Sequence, residues 1–203
     1  MPHMLVTGFG AFPGAPRNPT LAILQELRQV HARRLTRLGI SLDLRVLPVR
    51  FAEVGPVLSA ALQEAQPDIV LHLGLAGLRR HLSVELRALN RLSLLRPDAG
   101  RRVAGLAQID MQGPSTRPAR WDAQRLAAAL NQHGPTRLSQ DAGDYVCNQT
   151  LYLTLGQFDG LAGFIHVPPP RPTLPVSSMA KAISAGIVQL AVQHRVYTAG
   201  NKR

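Results

Sequence analysis

Three short, mainly apolar runs, "HMLVTGF" (3–9), "DIVLHLGL" (68–75) and "LAGFIHVP" (161–168), are separated by long segments of helical periodicity. Runs this short and this apolar belong to strands buried on both faces. A chain that alternates such strands with helices predicts a mostly parallel sheet with helices covering both faces. "ISLDLRVLPV" (40–49) alternates as a strand does, and "LSVELRALN" (82–90) reads as one further strand. Helices are predicted over 20–35, 52–65, 118–132, 144–158 and 178–194. The first has Asn18 as its cap, Pro19 at its first position, and Leu21, Leu24, Leu27 and Val30 along one face. Residues 91–119 are rich in Arg and Pro and carry only weak strand signals.

The 203 residues, 45% of them hydrophobic, suffice for one sizeable α/β core, and no repeat, low-complexity tract or linker divides them. No stretch approaches 18 uninterrupted apolar residues, so no membrane helix is expected. The start, "MPHMLVTGFGAF", lacks a basic n-region and its apolar run breaks at glycines, which reads as a first strand and not as a signal peptide. One cysteine permits no intrachain disulfide, and with no export signal this points to the cytoplasm. The net charge is +11, and 21 of the 23 basic residues are arginine. They are scattered in pairs such as Arg33-Arg34, Arg79-Arg80 and Arg101-Arg102, and aromatic residues do not interleave with them, so solvated faces are expected and no nucleic acid. None of the seven histidines forms a ligand pair such as H-E-x-x-H, and there is a single cysteine, so no built-in zinc site is expected.

Three places carry chemistry. "GFGAFPG" (8–14) follows the first strand with a G-x-G start, but Pro13 stands where a dinucleotide fingerprint needs glycine and no acidic residue ends the second strand. The loop either holds a nucleotide or places Phe9 and Phe12, in an apolar pocket or in ordinary core. Cys147, the lone cysteine, sits in "DAGDYVCNQT" (141–150) near a helix start. It is either an apolar filler or a nucleophile whose thiol pKa the helix N-terminus lowers, with Asp144 working against that effect. His166 closes a strand directly before three prolines (168–170). It is either a strand-end histidine satisfied by backbone or, at the end of a parallel strand where ligands bind, the base that takes the thiol's proton. Glu85 is a carboxylate in a mainly apolar strand, either exposed at a sheet edge or paired with a partner such as that imidazole.

With those motifs in order, the chain resembles the pyroglutamyl peptidase type I, or pyrrolidone-carboxylate peptidase, family over nearly its whole length. "LVTGFGAFPGAPRNPT" is similar to the family's opening strand and N-P-[ST] loop, and "GLAGLRRHLSVELRALN" to its glutamate motif, with Glu85, Ala88 and Asn90 in place. "DAGDYVCNQTLY" resembles the cysteine motif, "GFIHVP" the histidine segment, and "PVSSMAKAI" the start of the last helix. The resemblance implies a single-domain α/β/α sandwich over residues 1–203, with a mostly parallel, twisted mixed sheet. It implies a cysteine exopeptidase that removes N-terminal pyroglutamate from peptides, needs no metal or cofactor, and assembles as a homo-oligomer, dimer or tetramer. Cys147 would be the nucleophile, His166 the general acid/base and Glu85 its orienting partner. Phe9, Phe12, Asn18, Tyr145 and Val146 would form the substrate pocket, with the Cys147 N–H as oxyanion donor. The chain departs from the family where Leu75 replaces glutamine, Pro13 replaces glycine, Leu86 and Arg87 reverse their usual order, and "NRLSLLRPDAG" loses two aspartates and shifts Arg96 by one residue. Two other classes stand beside this reading: a nucleotide-binding or nucleoside-processing α/β protein, and a binding homologue without catalysis.

Overall fold

The computed structural model describes residues 1–200. Its main sheet has six strands in the order β2-β1-β3-β8-β4-β7: β1 (His3–Phe9), β2 (Ser41–Leu47), β3 (Ile69–Leu75), β4 (Leu82–Glu85), β7 (Thr136–Ser139) and β8 (Leu161–Val167). The first four in that order run parallel, while β4 is antiparallel to β8 and parallel to β7. The sheet is therefore mixed, as expected. β1, β3 and β8 are buried almost throughout, because helices cover both their faces, whereas the edge strand β2 is half-buried.

Helices α1 (Pro19–Glu26), α2 (Ala32–Arg37), α4 (Ala123–Asn131) and α6 (Val176–Gly200) share one core with Val6, Leu71, Val84 and Ile165. Helices α3 (Phe51–Ala65) and α5 (Val146–Gln157) share the other with Leu5, Val70, Ala162 and Phe164. Successive strand residues thus alternate between the two cores, as a period of two requires.

Several boundaries differ from the sequence reading. α1 and α2 join through a π-helical turn at Leu27–His31. Before the turn Ile23, Leu24 and Leu27 face the core and Leu21 is only half-buried; the wider turn then rotates the residues that follow, so Val30 is 58% exposed and Leu35 faces the core. The single strand read over 82–90 breaks at Leu86: β4 stays in the main sheet, and β5 (Arg87–Leu89) pairs instead with β6 (Thr116–Pro118) in a two-stranded ribbon. The helix read from 118 starts at Ala123, because Asp122 caps it by accepting from the Arg125 N–H at 3.0 Å. The helix read over 144–158 begins at Val146, which makes Cys147 its second residue. Asn18 and Pro19 stand where they were placed, with Asn18 Oδ1 accepting from the Thr20 N–H at 3.1 Å.

Beneath the future site, the fully buried His72 bridges two hydroxyls, Thr7 Oγ1 at 2.7 Å and Thr154 Oγ1 at 2.8 Å. Burial pushes its imidazole down to about 3 from 6.5. The folded protein therefore keeps His72 neutral at pH values where the unfolded chain protonates it, so stability falls as pH drops below 6.5. Lowering the pH from about 7.5 to about 4.5 is expected to remove about 3 kcal/mol through this residue. Urea melts of wild type and His72→Gln at the two pH values test this. A variant with the same pH-dependence as wild type would remove His72 from the acid sensitivity.

Candidate active site

Strand register brings the site together. Thr7, His72 and Phe164 lie side by side across β1, β3 and β8, and Gly74 lies beside His166 one step further along. On the far side of β8, Ser83 of β4 faces His166. Alternation then puts Glu85 two residues on, on the same face and diagonal to His166, within reach of a long side chain. Glu85 is fully buried, so it is no surface edge residue, and its Oε1 accepts from His166 Nδ1 at 2.7 Å. An Nδ1 that donates to a carboxylate leaves Nε2 without a hydrogen, as the ring's basic atom.

The loop from β3 to β4 must arch over the end of β8, since β8 lies between them in the sheet. It carries the fully exposed Leu78 and also Arg79, whose Nη1 contacts the same Glu85 Oε1 at 2.6 Å. α5 enters from above with Cys147 on its first turn. Asn148 clamps this helix start, exchanging bonds with both the Leu89 N–H (2.9 Å) and C=O (2.7 Å) and donating to Arg91 O (3.0 Å). The absence of a side chain on Gly74 makes room for the sulfur: a Cβ there would lie 2.9 Å from Cys147 Sγ and 2.5 Å from the Phe164 ring.

Cys147 and His166 line one cavity of about 350 Å³, and no hydrogen bond joins thiol to imidazole among the described residues. The thiol is not activated at rest as the helix position suggested. Burial against Phe164 and neighbouring apolar groups, and secondly the charge of Glu85, push it up to about 12; Arg96 opposes this only in part. Cys147 is only partly buried, yet the loss of water around its sulfur opposes the thiolate more than the helix N-terminus favours it.

The predicted pocket residues Phe9, Phe12, Asn18, Tyr145 and Val146 all line this cavity. Phe9 stacks on Phe164 at 6.2 Å, and Phe12 packs against Tyr145 at 5.9 Å. Asn18 Nδ2 donates to Gly10 O at 3.1 Å, while Gly8 packs closely on Thr20 and Leu24. The glycine loop thus seats Phe9 and Asn18. Phe12, Pro13, Gly14 and Ala15 form a tight turn closed by paired backbone bonds between Phe12 and Ala15. Gly14 takes φ +89°, where a residue with Cβ is strained. The Tyr145 hydroxyl donates to Pro97 O at 2.8 Å, and burial pushes it up to about 12, so it remains a neutral donor.

Sequence reasoning left Arg96 open. Its guanidinium lies 4.9 Å above the Tyr145 ring and 3.5 Å from Asp144, and it lines the cavity. The Asp144 charge that was expected to oppose the thiolate is therefore partly balanced. Leu75 lines the cavity too, where a glutamine would offer a polar amide. Asn90 pins the irregular segment after β5, accepting from the Ile109 and Asp110 N–H groups at 2.9 and 3.0 Å. Gly74, Arg79 and Asn148 were missed as site residues. Each lies within a quoted motif, but its role depends on neighbours distant in sequence. No cluster of three or more His, Cys, Asp or Glu side chains that could hold a metal occurs among the described residues, and no helix among them is long and apolar enough to cross a membrane.

The pyroglutamyl peptidase family model matches residues 2–199. The pyrrolidone-carboxylate peptidase of Pyrococcus furiosus is 33% identical over 171 residues, 81% of this chain and 80% of that protein. That of Clavibacter michiganensis subsp. michiganensis is 33% identical over 202 residues, 91% of each. The crystal structure of pyrrolidone carboxyl peptidase from Thermus thermophilus superimposes with a TM-score of 0.80 at 36% identity, covering 94% of this chain and 99% of that one.

Proposed function

The chain belongs to the pyroglutamyl peptidase family, and from that premise we propose that Cys147, His166 and Glu85 hydrolyse the bond after an N-terminal pyroglutamyl residue. The enzyme is a cysteine-type hydrolase that removes N-terminal pyroglutamate from peptides. The observation that carries the residue assignment is the His166–Glu85 hydrogen bond of 2.7 Å beside the cavity that holds Cys147, Phe9, Phe12 and Asn18.

A neutral thiol needs its proton removed as it attacks. His166 Nε2 takes that proton while Sγ bonds to the pyroglutamyl carbonyl carbon, and Glu85 stabilises the imidazolium that forms. The oxygen of the tetrahedral intermediate is met by the Cys147 N–H, one of the first-turn donors of α5 that the helix leaves free. The imidazolium then protonates the leaving amine, which departs as the shortened peptide. Water, deprotonated by the same imidazole, hydrolyses the thioester and releases pyroglutamate. The flat, uncharged lactam suits a cavity walled by Phe9 and Phe12, and a filled ring pocket leaves no place for a preceding residue.

His166→Ala is expected to lower kcat by about 10⁴-fold or more, and Glu85→Gln by less, because it leaves the imidazole present but poorly oriented. The profile of kcat/KM against pH should be bell-shaped, with limbs that belong to the coupled site. Steady-state kinetics on a pyroglutamyl amide check this, and equal rates for Glu85→Gln and wild type would remove Glu85 from the mechanism. The functional reading itself is tested by hydrolysis of that amide and its loss on thiol alkylation.

The whole chain acts as one catalytic domain. It works in the cytoplasm, where a catalytic thiol stays reduced. Leu94, Leu95, Leu106 and Met111 expose apolar surface in the segment after β5, which supports self-association as a dimer or tetramer. Sedimentation velocity tests the last point.

A further inference from the structure

Glu85 is fully buried, yet one of its oxygens takes two partners and the other takes none. Oε1 accepts from His166 Nδ1 at 2.7 Å and from Arg79 Nη1 at 2.6 Å, and Oε2 has no hydrogen-bond partner. Arg79 is itself fixed: Nη2 donates to Asp141 O at 2.8 Å and to Ser139 Oγ at 3.2 Å, and its N–H donates to Ala76 O at 3.0 Å. The guanidinium is thus locked between the loop over β8, the end of β7 and the loop ahead of α5. We propose that Arg79 is a positioning residue for the reaction: its charge holds Glu85 as a carboxylate, which keeps the imidazole proton on Nδ1 and leaves Nε2 free to act as the base.

This rests on the acyl-transfer reading above and adds a fourth group to it. Take Arg79 away, and a fully buried carboxylate has only the imidazole left as partner. Such a charge is costly, so the Glu85–His166 pair holds on to a proton. That proton has two places to go. If it sits on Glu85, the acid donates to Nδ1, and the ring's own hydrogen moves to Nε2. If it sits on the ring, both nitrogens carry hydrogen. Nε2 is blocked either way, and the basic form appears only at higher pH. The other charged and polar groups around the pair do not supply a substitute. Cys147 on α5 carries a thiol that burial holds toward its neutral form. Asp141 ahead of α5 is negative and is held at 2.9 Å by Arg91. Arg96 lies against Asp144 and Tyr145. On the β4 side, His81 is bonded to the Ser83 hydroxyl.

The test compares wild type, Arg79→Met and Arg79→Lys in two assays over about pH 5 to 9. One follows kcat and KM on a pyroglutamyl amide. The other follows inactivation of Cys147 by iodoacetamide without substrate. Arg79→Met should move the acid limb of both profiles up by about one pH unit or more, with the loss mainly in kcat. Arg79→Lys, which keeps the charge, should return most of that displacement. In a Glu85→Gln background, Arg79→Met should move the limb no further, because the charge it balances is gone. That comparison also stands if Arg79→Met alone folds poorly. Superimposable profiles for Arg79→Met and wild type would overturn the proposal. So would a loss equal at every pH, or Arg79→Lys behaving like Arg79→Met. If wild type fails to turn over the amide, the functional reading falls, while the alkylation profiles still decide whether Arg79 governs the pair.

Discussion

Replacing Cys147 with serine is expected to lower kcat by about 10⁴-fold or more while leaving the fold intact. The side chain sits on the first turn of α5 over the gap at Gly74, so a smaller oxygen fits without collision. The helix start is held by Asn148, not by the thiol. The chemistry does not carry over. Burial already raises the thiol to about 12, and one imidazole can still draw off its proton as the sulfur attacks. The alcohol is far less acidic than any thiol and would meet the same largely apolar surroundings. The variant should melt within a few degrees of wild type and show no measurable burst. Activity above about a tenth of wild type would sink the nucleophile assignment. The same burial sets a sign: iodoacetamide should react slowly with the free enzyme at neutral pH and faster as pH rises.

The second large effect concerns the first residue of the substrate. A peptide amide beginning with pyroglutamate should be cleaved up to about 10⁴-fold more efficiently than the same amide beginning with proline, judged by kcat/KM. Proline has the ring but no lactam carbonyl, so a pocket donor that pairs with that carbonyl would be left unmatched. Its nitrogen also carries a positive charge, which would lie against Phe9 and Phe12, while Asp141, the carboxylate that lines the cavity, is already held by Arg91 at 2.9 Å. Glutamine and glutamate at the first position add rotors as well as charge. A prolyl substrate within about tenfold of the pyroglutamyl one, a gap of about 1.4 kcal/mol, would make the pocket a general small-ring site.

Much of this was legible before any coordinates. The apolar strands were found because β1, β3 and β8 are buried on both faces, which leaves a continuous signal. The trio Cys147, His166 and Glu85 stood in motifs whose order alone is specific. What the sequence hid depends on contacts between distant residues. β7 is four residues long at a sheet edge, so "TRLS" shows no buried pattern. Leu86 breaks the strand after Glu85 because its N–H pairs with Ser139 O in the main sheet while its C=O accepts from Ala119 beside the ribbon. The π turn at Leu27–His31 changes which residues face inward without any composition signal. The thiol's resting state depends on Phe164 and Gly74, and no spacing along the chain reveals that they meet the sulfur. Arg79 was noted only as half of a basic pair, because nothing local shows it folding back on Glu85.

The central claim is that an acyl group passes through the Cys147 sulfur. Rapid quenching of the wild-type enzyme with a pyroglutamyl ester, followed by mass spectrometry of the intact protein and of its peptides, tests this most directly. The expected result is a protein heavier by one pyroglutamyl group, with the addition mapped to the peptide containing Cys147 and absent from Cys147→Ser. Turnover of the ester with no adduct at any time, or an adduct on another residue, would contradict it.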